Sequence, residues 1–306
     1  WIPALIAFYP VILNYDGPIQ IYAYAIKEIA PSTRQPIIST ILFAFFYKIG
    51  LNLFNSVSLG MMYFSIFQMI IMSSIFAYAT EFIYRETKNK IITIISLLFY
   101  ALYPINQLFP LMTTKDVMFA GLSLLFVIRL HELTKQNCKI KEYILLVIIG
   151  TLMLLFRNNA IYALIALIPF SIIILKKRGK RLVIVLTLII ITYQAIFNLL
   201  IFMVNGQKDN DREKLSVFTQ AIARVTRLKI QELTQEEKDK IAYYFGDINN
   251  LGQVYQENLS DNTKAIINTK KVEENKSDKF RNHIPRKNQM TEIEKIVKEV
   301  EMWQAN

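Results

Sequence analysis

Up to Val204 the chain runs as long apolar blocks separated by short charged loops, and that arrangement limits its folds more than any motif does. A bilayer core of about 30 Å needs roughly 20 apolar residues in helical form. Residues 57–84 (VSLGMMYFSIFQMIIMSSIFAYATEFIY), 91–111 (IITIISLLFYALYPINQLFPL) and 182–204 (LVIVLTLIIITYQAIFNLLIFMV) reach that length. Residues 113–130 do so if Arg129 stretches to the headgroups. Hydrocarbon offers backbone groups no partners, so each segment must bond internally, and the expected fold is an all-α polytopic bundle. After Val204 the blocks end. The expected organisation is a membrane module over 1–204, followed by a polar, mainly helical region over 205–306.

Residues 143–175 are too long for one span, since as a single helix they would run about 50 Å. At their centre stands RNN, Arg157 to Asn159. An arginine at mid-bilayer costs at least ~2.5 kcal/mol. Two helices, 143–156 and 160–175, with Arg157 at the turn between them avoid that cost. The opening WIPALIAFYP reads as the second half of another apolar helix, which brings the expected total to about seven spans.

Charge sets the orientation. RETKNK (85–90) carries three basic residues, the loop from Arg129 to Lys141 four, and KKRGKR (176–181) five. All three belong on the cytoplasmic side by the positive-inside rule. Alternation then puts TTKD (113–116), RNN and everything after Val204 outside. Residues 37–54 (IISTILFAFFYKIGLNLF) are apolar enough to span, but Lys48 interrupts them. A helix lying in the outer interface, with Pro36 at its first position, keeps the loop before it on the outer side.

The net charge of +11 does not indicate nucleic acid. Residues 1–204 hold a net +10, in loops between apolar blocks, while 205–306 hold +1. Cys138 is the single cysteine, and no Cys/His spacing suggests zinc. No Gly-rich phosphate loop, Ser-His-Asp order or HExxH occurs. In the polar region, Thr234 and Glu237 form a capping-box pattern before a helix at 234–245. Ile293, Ile296, Val297 and Val300 mark a second helix at 292–303.

This orientation gathers Asp16 (NYDGPIQ), Arg34 (STRQP), Lys115 and Asp116 (TTKD) and Arg157 (RNN) on one face. Gln20 and Asn158, in the same motifs, complete the candidate set. Carboxylates take protons from hydroxyls or hold a divalent cation, for which Asp16 and Asp116 are the candidate ligands. Lysine and arginine neutralise phosphates. Plainer roles stand beside these: a helix cap for Asp116, a turn for Asp16, and interfacial anchoring for Arg34, Lys115 and Arg157.

Taken in order, NYDGPIQ, RQPIISTIL and TTKDVMF resemble the N-terminal plan of GT-C-type glycosyltransferases that use polyprenyl-phosphate sugars, over roughly residues 9–130. That plan is a span, an outer loop with an acidic residue, an interfacial helix, two spans, and a second acidic motif opening the next span. The resemblance implies that Asp16 activates the acceptor, that Asp116 orients groups or shares a cation, and that Arg34 helps hold the donor phosphate. LFYALYPINQLFPLMTTKDVMFAG, LMLLFRNNAIYAL and EKLSVFTQAIARV are also similar to a bacterial multi-pass family without assigned function, as far as about residue 265. The expected activity is sugar transfer from a polyprenyl-phosphate carrier to a cell-envelope acceptor, at the outer face of a bacterial plasma membrane. A transporter or flippase of lipid-linked substrates, or a non-catalytic envelope assembly protein, is the alternative.

Overall fold

The computed structural model describes residues 1–26, 31–33, 35–135, 139–175, 177–206 and 215–272. Among these the regular structure is helical, with two isolated β-bridges. The chain divides into two compact units, Trp1–Lys208 and Asp209–Asn306. The helix expected at 292–303 lies outside the described residues.

The first unit holds ten α-helices among the described residues: α1 (Ile2–Ala7), α2 (Asp16–Ile21), α3 (Ile37–Phe54), α4 (Val57–Thr87), α5 (Lys90–Leu102), α6 (Pro104–Leu108), α7 (Lys115–Lys135), α8 (Ile140–Phe156), α9 (Ala160–Leu175) and α10 (Lys177–Met203). Their ends follow from local chemistry. Ser56 caps α4 by accepting from Leu59 N at 3.3 Å, and Asn89 caps α5 by accepting from Ile91 N at 2.9 Å. Asn55 and Lys88 end α3 and α4 in the left-handed conformation. Pro36 stands at the N-cap of α3 rather than at its first helical position, with the extended ψ of 120° that a cap adopts.

Ile37–Phe54, Val57–Thr87, Lys115–Thr134 and Gly179–Met203 are each long and apolar enough to cross a membrane. The span expected at 91–111 is a pair of helices, Lys90–Leu102 and Pro104–Leu111, bent by 53°. Pro104 has no N–H to donate and crowds the preceding turn, so the helix breaks at Tyr103. Counted as one span, the pair brings the total to five, against about seven expected. Three of the expected seven fall short, α1 with six residues and α8 and α9 with 17 and 16, while α3, expected to lie in the interface, is long enough to be counted among the five. The outward surface is apolar: α5 has no buried residue and exposes Ile91, Ile94, Ile95, Leu98 and Leu102. Phe202 of α10 is 80% exposed.

The main core joins α7, α8, α9 and α10 through Leu122, Phe126, Leu146, Leu154, Leu164, Leu186 and Ile189. The break at Arg157–Asn159 falls where the sequence placed it, but α9 packs chiefly on α10 rather than folding back along α8. A smaller core of Ile21, Phe43, Met61 and Phe64 joins α2, α3 and α4. There α3 crosses α4 closely at Gly50 and Gly60; a Cβ on Gly60 would stand 2.3 Å from the Phe46 carbonyl oxygen.

The two ends of this bundle differ. At one end Glu132 accepts from Tyr78 Oη (2.7 Å), Arg85 Nη2 (2.6 Å) and Arg129 Nη1 (3.2 Å), and Arg129 also reaches Glu142 at 3.4 Å. These bonds tie α4, α7 and α8 together beside two of the basic loops. At the other end lie the starts of α2 and α7 and the end of α8. At this second end α3 meets Gln20, Phe64, Phe67, Gly60 and Gly206.

The second unit packs α11 (Ser216–Leu228), α12 (Gln235–Phe245), α13 (Ile248–Val254) and α14 (Asp261–Ile266) around Ile222, Ile241, Phe245, Leu251 and Ile267. Thr234 and Glu237 form the expected capping box at the start of α12.

Candidate functional site

The loop before α2 and the loop before α7 are laced together by backbone bonds. Ile12 N donates to Leu111 O at 2.8 Å, and Thr113 N donates to Ile12 O at 3.0 Å. The fully buried Thr113 accepts from Asn14 N at 2.9 Å through Oγ1. On the far side, Gln68 of α4 donates to the carbonyl oxygens of Pro110 (3.0 Å) and Met112 (3.1 Å). Gly17 packs against Thr113 so closely that a Cβ there would lie 2.2 Å from Oγ1. The two threonines of TTKD therefore have separate jobs. Thr113 fixes the Asp16 loop, while Thr114 Oγ1 accepts from Asp116 N at 3.3 Å and starts α7.

This lacing brings four candidate charges into one cluster. Lys115 Nζ lies 3.3 Å from Asp16 Oδ2. Arg157 Nη1, at the end of α8, lies 2.7 Å from Asp116 Oδ1. Lys115 and Asp116 are consecutive, so both ion pairs are anchored on the first turn of α7. Both are partly open to water, with side-chain exposures of 21% and 35% for Lys115 and Asp16, and 49% and 39% for Arg157 and Asp116. Each cation has a second contact: Lys115 donates to Gln35 Oε1, and the Arg157 guanidinium lies 5.3 Å from the centre of the Phe119 ring.

The other candidates are placed differently. Gln20 is buried, and its Oε1 accepts from Ser39 Oγ at 2.6 Å and Thr40 Oγ1 at 3.2 Å. These bonds clamp α2 onto α3 and do not involve the charged cluster. Asn158, next to Arg157, has a buried Oδ1 with no hydrogen-bond partner. Arg34 lies outside the described residues. Gln35, Thr113 and Phe119 were missed as site residues. Gln35 stands beside Arg34 in STRQP, but nothing in that string shows that its amide reaches a lysine 80 positions later.

Among the described residues the donor set does not fit a resident divalent cation. Each carboxylate already has a cationic partner, and the described residues contain no group of three or more His, Cys, Asp or Glu able to surround a metal. The cluster can accept a hydroxyl proton on carboxylate oxygen, and it can neutralise a phosphate with one ammonium and one guanidinium.

Fold and site together define a multi-helix protein with the apolar exterior of a membrane protein and a mixed-charge cluster at one end of its bundle. The chain belongs to the family of unknown function DUF6020, whose model matches residues 18–295. No curated protein and no solved structure matches it.

Proposed function

We propose that the chain is a membrane glycosyltransferase that moves a sugar from a polyprenyl-phosphate carrier to an acceptor at the outer face of the cell envelope. The observation that carries this reading is the meeting of Asp16, Lys115, Asp116 and Arg157 at one end of an apolar bundle. A lipid-linked phosphate arrives where hydrocarbon meets water, and there the cluster offers both its cations and its base.

In this reading the isoprenoid tail lies along the helices and the phosphate meets Lys115 and Arg157. The acceptor hydroxyl gives its proton to Asp16 Oδ, and its oxygen attacks the anomeric carbon. The bond from that carbon to the phosphate oxygen breaks. Polyprenyl phosphate leaves with its charge matched by the two cations. A single displacement of this kind inverts the anomeric centre. Asp116 holds Arg157 toward the phosphate.

The accompanying topology has seven spans, with α8 and α9 as short ones and α3 lying in the outer interface. Although α3 is long enough to cross, it meets Gln20, Phe64 and Gly60 at the end that carries the cluster. The basic loops and the Glu132 network then face the cytoplasm, and the C-terminal unit lies outside.

Asp16→Asn and Asp116→Asn, assayed for sugar transfer from a polyprenyl-phosphate donor in proteoliposomes, test the reading. Loss of the base is expected to lower turnover by ~10²–10⁴-fold. Wild-type transfer in both variants would remove the carboxylates from the mechanism. The 53° break at Tyr103–Pro104 favours a second reading, a transporter or flippase, because such proteins use broken helices. Lipid flipping or uptake without sugar transfer in the same vesicles would select it.

A further inference from the structure

Neither carboxylate of the cluster is free to act as a base, and neither cation is free to meet a phosphate. Asp16 is held by Lys115 at 3.3 Å and Asp116 by Arg157 at 2.7 Å.

The geometry nonetheless lets the partners exchange. Asp16 is 35% exposed and can turn to water. Lys115 keeps Gln35 Oε1 as an anchor when Asp16 leaves, and Arg157 keeps the Phe119 ring. Thr114 Oγ1 donates to Asp116 Oδ2 at 3.3 Å, so that carboxylate keeps its place as well. A phosphate monoester sets three terminal oxygens and a second negative charge against the two oxygens of Asp16, while a diester, with two terminal oxygens, competes by addressing a second cation as well.

We propose that the two ion pairs form an anion-exchange latch. A phosphate mono- or diester binds across Lys115 and Arg157, displaces Asp16 from Lys115, and so frees the base only after the donor has arrived. The inference rests on the glycosyltransferase reading and adds an order of binding to it, donor before acceptor. No covalent bond changes in this step.

Zero-length carbodiimide coupling of the full chain in nanodiscs tests it, because a carboxylate in contact with a lysine is converted to an isopeptide bond that mass spectrometry can locate. The probes are dodecyl phosphate, inorganic phosphate and dodecanol. Lys264 and Asp261, 2.7 Å apart in the other unit, give an internal reference for reagent consumed by phosphate. Relative to that reference, the Asp16–Lys115 cross-link should form in the unliganded protein, fall several-fold with dodecyl phosphate, and persist with dodecanol. Loss with inorganic phosphate too would assign the site to the phosphate group itself, and loss with dodecyl phosphate alone to a lipid headgroup. Failure to form the cross-link without ligand, an unchanged yield with both anions, or equal loss with dodecanol would each overturn the latch. Sugar transfer with an unchanged cross-link sinks the latch alone, whereas a working latch without transfer sinks the glycosyltransferase reading alone.

Discussion

Gly17→Ala should dislodge Asp16 without touching any charge. The new methyl carbon would stand 2.2 Å from Thr113 Oγ1, about 1.2 Å inside the 3.4 Å at which ordinary contact begins, and 2.6 Å from Thr113 Cβ. Thr113 cannot step aside. It is fully buried, its Oγ1 accepts from Asn14 N, and its own N–H donates to Ile12 O. The start of α2 must therefore retreat. Overpacking of this kind costs ~1–3 kcal/mol, and losing the Asn14–Thr113 hydrogen bond adds ~1 kcal/mol. The expected destabilisation is ~2–4 kcal/mol, read as a fall in Tm of the full chain in detergent. Carbodiimide coupling of Asp16 to Lys115 should fall with it. If the proposed activity holds, a base displaced by ~1 Å lowers transfer by ~10²-fold. Combining Gly17→Ala with Thr113→Gly removes both close atoms, and a double-mutant cycle should show the two changes partly cancelling. An alanine variant with wild-type Tm and wild-type coupling would refute the claim that this contact pins the loop.

Three other perturbations probe the frame around the site. Glu132→Gln leaves Arg85 and Arg129 without their shared carboxylate; because both arginines are partly exposed, the expected loss is ~1–3 kcal/mol by thermal unfolding, and no loss would make the network dispensable. Gly60→Leu drives a side chain into the Phe46 carbonyl oxygen and should separate α3 from α4, seen as lower Tm and faster proteolysis between residues 50 and 60. Thr234→Ala removes the capping box of α12 and should cost ~1 kcal/mol, measured as an earlier melting step in the C-terminal unit, while Thr234→Ser should retain it.

The parts of the fold that were legible in the sequence are those written in charge and hydropathy. The break at Arg157 could be read because an arginine in mid-bilayer is expensive. The start of α7 could be read because TTKD combines capping residues with a first-turn acid. The 53° bend was missed although Pro104 stands in plain view, because the apolar count over 91–111 satisfied the length of one span and masked the missing N–H. The packing of α9 on α10 was not readable either. Both helices are apolar on nearly every side, so neither carries a stripe that names its neighbour. At the site, the charged residues could be found by type and position. Their pairing could not, since which carboxylate meets which cation depends on loops laced together by backbone bonds. Gln35 and Phe119 fall in the same class, as common residues made specific only by what they reach.

The contact between Asp16 and Lys115 spans 99 positions of sequence. At translation rates of ~5–20 residues per second, the carboxylate is made ~5–20 s before its ammonium partner emerges. Throughout that interval the nascent chain carries this acid without the ammonium it will pair with. Arg157 follows Asp116 by 41 positions, so the second pair closes later still. The cluster is consequently a late product of biogenesis, and a ribosome stalled anywhere before residue 157 would leave a partly inserted protein without it.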